Sequence, residues 1–307
     1  MVVLWMVILS PFTFHLSPLS AQTSLLSVGV RGGGQTWLPT KAEKVTGDIQ
    51  GSIGGSGLLD LRYTFYGDVS EKIGIGFAVG AGIGYGSTNL KGTCTDTLTN
   101  HDYKNYEMKY TNTGQFVKTD KFAKADISLL FAMRFGAVTV NIGPRFMLPF
   151  ATTSSLTITS AVIDAYFPKF DNHVTNEVIT GYLQTPYTQK DTSNLPQYNL
   201  LLAIEAGYEW TLQERHIIGL QAYANFGLWN NYTAMKTERL ISVANIEQPD
   251  TPARVTVGSP ESLISRRRFI DFGIRVYYAF PIRATTGTSS TSSSRDTRKH
   301  HNRYQWH

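Results

Sequence analysis

The sequence predicts an all-β fold, a transmembrane antiparallel up-and-down β-barrel of about eight strands. Three observations predict it. Apolar residues alternate with polar or glycine residues in segment after segment. These segments exceed the ~5–6 residues usual for soluble strands and reach the ~9–11 that a tilted strand needs to cross a bilayer. The connections between them alternate strictly between short and long, the asymmetry of barrels with turns on one side of a membrane and loops on the other.

The elements follow in order. Met1 to Leu9 is almost wholly apolar, and Leu19-Ser20-Ala21 precedes Gln22. Residues 1–21 therefore read as a cleaved signal peptide. Pro11, His15 and Pro18 stop the run short of the ~20 apolar residues of a spanning helix. The barrel is expected over residues 22–282. Its first strand, near Leu26 to Trp37, is interrupted by Gly32, Gly33 and Gly34. In the second, Leu59, Leu61, Tyr63 and Phe65 oppose Asp60, Arg62 and Thr64. In the third, Ile73, Ile75, Phe77, Val79, Ala81, Ile83 and Tyr85 oppose a face made only of glycine and Ala78. The fourth sets Ile127, Leu129, Phe131, Met133 and Phe135 against Asp126, Ser128 and Arg134. The fifth runs from Val138 to Phe150, the sixth from Tyr198 to Trp210, the seventh from Ile218 to Leu228, and the eighth from Ile270 to Phe280.

Short connections fall at 67–72, near Gly136 and at 211–215; long ones fall at 38–56, 87–121, 151–197 and 230–268. Within the long ones, Leu156 to Ile163 and Asn176 to Leu183 are strand-like. They are hairpins extending the barrel beyond the membrane, or two further spanning strands; eight spanning strands is the preferred count. With both chain ends on one side, the strand ends on that side are Phe65, Phe135, Tyr208 with Trp210, and Tyr278 with Phe280. The opposite ends are Tyr85, Phe150, Tyr198 and Phe226. These make two aromatic girdles, where rings favour the membrane interfaces.

Composition excludes other classes. The 307 residues contain one cysteine, Cys94, so no internal disulfide forms. Charged residues are 17% of the chain, and the net charge of +5 resides mostly in the tail, where Arg283, Arg295, Arg298, Lys299 and Arg303 outweigh Asp296. A nucleic-acid partner is not expected. The Ser/Thr-rich, basic segment 283–307 is expected to be a disordered periplasmic tail.

Placing Arg or Lys on the lipid face costs ~2–4 kcal/mol near the midplane, so the charged faces should line the lumen. That defines the candidate site, a lumen charge network of Arg31, Asp60, Arg62, Asp126, Arg134, Arg145, Glu205, Glu209, Asp271 and Arg275, with Lys124 on the same face. The arginines should pair with the acids. Large residues of the seventh strand, Gln221, Tyr223, Asn225 and Trp229, should project into the space that the glycine wall clears. A soluble barrel of the lipocalin kind is the competing fold, and it would put the apolar faces inside.

The final strand, Gly273-Ile274-Arg275-Val276-Tyr277-Tyr278-Ala279-Phe280, resembles the terminal signal of outer-membrane barrels, a glycine followed by alternating hydrophobics ending in Phe. With the architecture over Ser24 to Ile282, the chain resembles the small outer-membrane β-barrel family, the outer membrane protein A-like and porin-like barrels. Its Ala21-Gln22 start and glycine-rich strands are also similar to Bacteroidota barrels of the PorT-like group. The resemblance implies residence in the cell outer membrane, in contact with lipid and lipopolysaccharide.

No nucleophile–base pattern stands out, so catalysis, cofactor and metal are not expected. His101 with Asp96, Asp102 or Cys94 fits no metal template, and His216 sits beside a short turn. Arg266-Arg267-Arg268 reads either as a lipopolysaccharide contact or as a solvated strand start. The expected role is structural or one of surface interaction through the long outer loops, with envelope or host-surface proteins as partners. The alternatives are a narrow passive channel and a membrane subunit of a secretion or assembly complex.

Overall fold

The computed structural model describes residues 22–43, 46–70, 73–101, 107–177, 181–191, 195, 197–212, 216–228, 239–243 and 254–282. The expected signal peptide, the tail and Trp229 lie outside these. The described strands are β1 (Gln22–Lys41), β2 (Thr46–Ser52), β3 (Gly54–Ser70), β4 (Ile73–His101), β5 (Glu107–Phe135), β6 (Val138–Phe167), β7 (Asn172–Thr175), β8 (Tyr187–Asp191), β9 (Asn199–Leu212), β10 (His216–Gly227), β11 (Ile241–Val243), β12 (Val255–Val257) and β13 (Ile264–Ile282).

Eight of them close a ring in the order β1-β3-β4-β5-β6-β9-β10-β13, every neighbour antiparallel, and β13 returns to β1 from Ser24↔Ile282 to Lys41↔Ile264. Closure leaves the spanning ring with no sheet edge, the condition for strands in lipid. Gly136, at φ 61, makes the tight turn from β5 to β6. That turn, Gln22 and Ile282 share one end of the barrel, the turn side.

The faces are those of a membrane barrel rather than of a soluble one. Leu59, Ile83, Ile127 and Ile274 are all more than half exposed, on the outer wall. Asp60, Arg62, Asp126 and Arg275 on the opposite faces are buried. This inversion holds over a belt bounded on β4 by Ile73 and Tyr85, and on β5 by Phe135 and Ile127.

The expected outer loop 87–121 is corrected by the structure, and in 151–197 the hairpin reading holds for Leu156 to Ile163, which continues β6 beyond the belt. β4 and β5 each run for 29 residues and β6 for 30. At ~3.3 Å per residue, β4 is roughly 95 Å long, far more than ~30 Å of hydrocarbon requires even when tilted. The excess forms a sheet on the side opposite the turns. β2 joins the edge of β4, and β7 and β8 join β6, so this platform reads β2-β4-β5-β6 and then β8 and β7. Leu156 to Ile163 lies inside β6, whereas Asn176 to Leu183 forms no strand in its described part.

Above the belt the polarity changes sides while β4 and β5 stay paired in one register. On β5 the outward residues become Thr111, Thr113, Gln115 and Thr119, and the inward ones Met108, Tyr110 and Phe116. Ile49, Leu90, Cys94, Leu156, Ile158, Ile163, Leu240, Ile241, Val243 and Leu263 join these in one apolar core. The platform packs like a water-soluble domain. Its cover is the last long connection, from which the β11–β12 pair and the 3₁₀ turn Pro260–Leu263 lie against the inner face.

Candidate functional site

The site is the lumen, built by the inward residues of the ring strands. At mid-height, Arg62 donates to both oxygens of Glu205 at 2.5 and 2.9 Å. Glu205 also accepts from Arg145 at 2.6 Å and from Asn141 at 3.3 Å, and it is fully buried. The fork geometry of guanidinium suits such bidentate contact. Arg145 donates in addition to Asn225 at 2.7 Å. Arg31 lies 2.7 Å from Asp126 and 3.8 Å from Asp60. Arg275 meets Asp60 at 2.9 Å and also donates to Gln221 and Ser27.

Two of the five expected acids find partners other than an arginine. Asp271 accepts from Lys124 at 3.2 Å, and Lys124 also donates to Gln35 at 2.8 Å. Glu209 accepts from the Tyr277 hydroxyl at 2.5 Å. Arg134 stands at the turn side with its guanidinium over the Tyr66 ring, 5.1 Å from the centroid. Gln35, Asn141, Gln221 and Tyr277 complete the network. Gln221 was expected among the inward residues of the seventh strand; Gln35, Asn141 and Tyr277 each share the strand parity of a named charge, which is the signal by which the sequence marks them.

The glycine wall is filled differently from expectation. A side chain at Gly82 would meet Arg31 Nη2 at 2.6 Å and Asp126 Oδ1 at 2.9 Å; at Gly80 it would meet Ser128 Oγ at 2.8 Å; at Gly86 it would meet the Gln35 amide. The cleared space is thus taken by long polar side chains of β1 and β5, with Arg62 of β3 alongside at Gly80. Tyr223 of the seventh spanning strand turns its hydroxyl to Asp271 at 3.4 Å. At the turn side, the cavity between Tyr66, Asn141, Glu209, Gln221 and Tyr277 measures about 10 Å³, room for about one water.

A second cluster lies above the belt, and the sequence reading did not anticipate it. Lys118, fully buried, meets Glu261 at 2.8 Å, Asp191 at 2.9 Å and Asp120 at 3.9 Å. Arg267 meets Glu261 at 3.3 Å and stacks over Trp37 at 4.6 Å. Arg267 therefore points inward between exposed Arg266 and Arg268, which replaces the expectation that the three act together. This cluster ties the 3₁₀ turn and β8 to β5 and β13. Burial raises the Asp120 carboxyl above its ordinary range, against the opposing pull of Lys118 and the Ser154 hydroxyl. Cys94 is buried in the platform core, which pushes its thiol up to about 11.

Among the described residues of the long connections and turns, His173, His216 and Asp96 lie apart from one another. His173 bonds Asp164 at 2.8 Å on the exposed β6–β7 hairpin, and His216 bonds the Tyr278 hydroxyl. Asp96 pairs with Arg239 at 2.9 Å, while Asp102 lies outside the described residues. Among the described residues no group of three or more His, Cys, Asp and Glu is placed to hold a metal ion.

No family model matches the chain, and no curated protein matches it. Among solved structures it is similar to the outer membrane protein OprG from Pseudomonas aeruginosa, with 11% identity, 85% of this chain and 97% of that one covered, and a TM-score of 0.27. It is similar to the outer membrane protease OmpT from Escherichia coli, with 10% identity, 87% and 99% covered, and a TM-score of 0.25. It is also similar to the translocator domain of the autotransporter NalP from Neisseria meningitidis, with 10% identity, 92% and 96% covered, and a TM-score of 0.21. At these values no site or activity passes from them to this chain. Its own geometry, a closed antiparallel eight-stranded ring with charges inside and an apolar belt outside, is the architecture of an integral outer-membrane β-barrel.

Proposed function

We propose that the chain is a membrane anchor with a shut lumen, whose working surface is the folded platform that β2 and β4–β8 raise on the outer side of the cell. The observation that carries this is the change of polarity along single strands. β5 is apolar outside over Ile127–Phe135 and, apart from Val117, polar outside over Glu107–Thr119, with a packed core beneath the polar part. Loops serving only as connections would bury no such core. The lumen network supports the shut state, because its charges are paired at 2.5–2.9 Å in most cases and the cavity at its turn side has room for about one water. On this reading residues 1–21 direct export, the tail 283–307 stays in the periplasm, and the platform contacts lipopolysaccharide or proteins of other surfaces.

The test is labelling of Thr97→Cys and Thr113→Cys on intact cells with a membrane-impermeant maleimide. Both should label without permeabilisation. Labelling only after the outer membrane is opened would place the platform in the periplasm and end the proposal. In planar bilayers the purified protein should give no steady ion conductance; a stable conductance would replace the anchor with a channel.

A further inference from the structure

We propose that the outer face of the platform holds a neutral saccharide chain in the groove across β2, β4, β5 and β6. This rests on the platform reading above and names its partner by chemistry. The groove is open, about 340 Å³, and is lined by Asp48, Gln50, Lys91, Thr93, Gln115 and Thr159 over Val117. That volume lies near the lower end of the ~300–1,000 Å³ typical of small-ligand sites.

The lining selects the ligand class. Two primary amides and two hydroxyls supply donors and acceptors together, the mixture that a polyol needs on its many OH groups. Asp48 and Lys91 are one charge of each sign, so the groove offers no net attraction to phosphate or sulfate. The Gln50 amide donates to Asp48 at 2.5 Å and orients that carboxylate. Val117, 37% exposed, is the sole aliphatic side chain of the lining, enough for the C–H face of a ring but not for a peptide's apolar anchors. An extended peptide cannot add a strand within the groove, because β4 and β5 are paired on both sides along it, and would have only the outer edge of β2 to join.

The backbone shows local construction. β6 carries a bulge opposite Gln115 and Phe116, where Ser160 and Ile158 are their partners and Thr159 is the extra residue. Bulges re-aim side chains, and this one puts Thr159 on the outer face, where its hydroxyl donates to the Gln115 carbonyl at 3.3 Å. Hydroxyls continue on either side in the pairs Thr95–Thr113 at 3.1 Å and Thr157–Thr188 at 3.0 Å, a track suited to a chain rather than to a single sugar.

The one aromatic residue of the lining, Phe116, is buried in the platform core and offers no ring face for stacking, so the affinity should be weak, with Kd on the order of 1 mM. The experiment is saturation-transfer NMR on the full chain in a detergent without a sugar head group. The probes are a neutral glucan hexamer, a neutral chain released from the cell's own lipopolysaccharide, a sulfated glycan and a Thr-rich peptide. Transfer to either neutral chain is expected, and which of the two gives it identifies a foreign or a native source. Thr93→Val with Gln115→Ala should weaken it roughly tenfold, the loss of two hydrogen-bonding side chains, while the heat-modifiable mobility of the barrel is kept. No transfer at ten times the expected Kd, transfer only to the sulfated glycan or the peptide, or binding unchanged in the double variant would overturn the proposal. The maleimide labelling of Thr97→Cys reads the location of the platform separately, so failure of the saccharide site leaves that reading standing, and the converse holds.

Discussion

The lower and upper halves of β5 obey opposite burial rules within one uninterrupted strand. Below, Lys124, Asp126 and Ser128 are inside and Ile127, Leu129 and Phe131 are outside; above, Met108, Tyr110 and Phe116 are inside and Thr111, Thr113 and Gln115 are outside. Pairing with β4 runs in one register through both, and antiparallel pairing with β6 continues across two register shifts. The difference teaches that the side-chain pattern records the solvent and not the fold. In lipid the polar groups have no outer partner and must pair within the lumen. In water the apolar groups are the ones driven inward. The changeover falls at Lys118 to Phe122, where the Lys118 cluster sits between the apolar core and the lumen network.

The comparison breaks most sharply at Glu205. Replacing it with Ala leaves Arg62 and Arg145 buried without their carboxylate, and breaking such a buried pair typically costs ~3–5 kcal/mol. The barrel should lose its resistance to heat in detergent, read as the shift from the folded to the unfolded band in gels. Unchanged resistance would mean that water, not Glu205, solvates the arginines.

The same apolar truncation should act differently in the two halves. Ile158→Ala removes a fully buried side chain from the platform core and should cost ~2–5 kcal/mol of local stability. Leu129→Ala, on the lipid face, should cost much less. Hydrogen exchange of the platform amides against those of the ring checks both. Gly82→Leu is expected to come next, at ~1–3 kcal/mol, because its Cβ already reaches Arg31 and Asp126.

The smallest effect is a pH slope. The Asp120 carboxyl is raised in the folded protein, mainly by burial, so the folded state holds its proton more tightly than the unfolded state does. Platform stability should therefore fall as pH rises from the ordinary carboxylate range through the raised folded value, and Asp120→Asn should flatten that part of the profile. A steeper slope in the variant would assign the titration to another group.

The membrane belt was legible because each spanning strand has one solvent outside and one packed face inside. Ile73 to Tyr85 against glycine is the clearest case. The lumen charges were legible for the same reason, but their pairing was not. Sequence parity puts Lys124, Asp271 and Arg31 on one wall without saying which neighbour each reaches. Arg267 was readable in principle, since it shares parity with Asp271 and Arg275. The platform was hidden by two register shifts in β6. One lies at Ala151, φ 47, opposite Phe122, and the other at Thr159. Each flips the inward face by one residue, so Leu156 and Ile158 fall out of phase with both Met147 and Ile163. A period-two search meets this as poor alternation. Glu261 carried no signal, because a 3₁₀ turn inside a long connection has no period to read.

The central claim is that the solvent changes part-way along β5, and a nitroxide scan of its outward residues tests it most directly. Labels at Thr113, Gln115, Thr119, Ala123, Ile127, Leu129 and Phe131, in a Cys94→Ala background and reconstituted in liposomes, would be read for collision with oxygen and with a water-soluble nickel chelate. Thr113 to Thr119 should favour the chelate and Ile127 to Phe131 oxygen, with the crossover near Ala123. Uniform preference for the chelate along the whole strand would contradict the account and make the chain a soluble barrel.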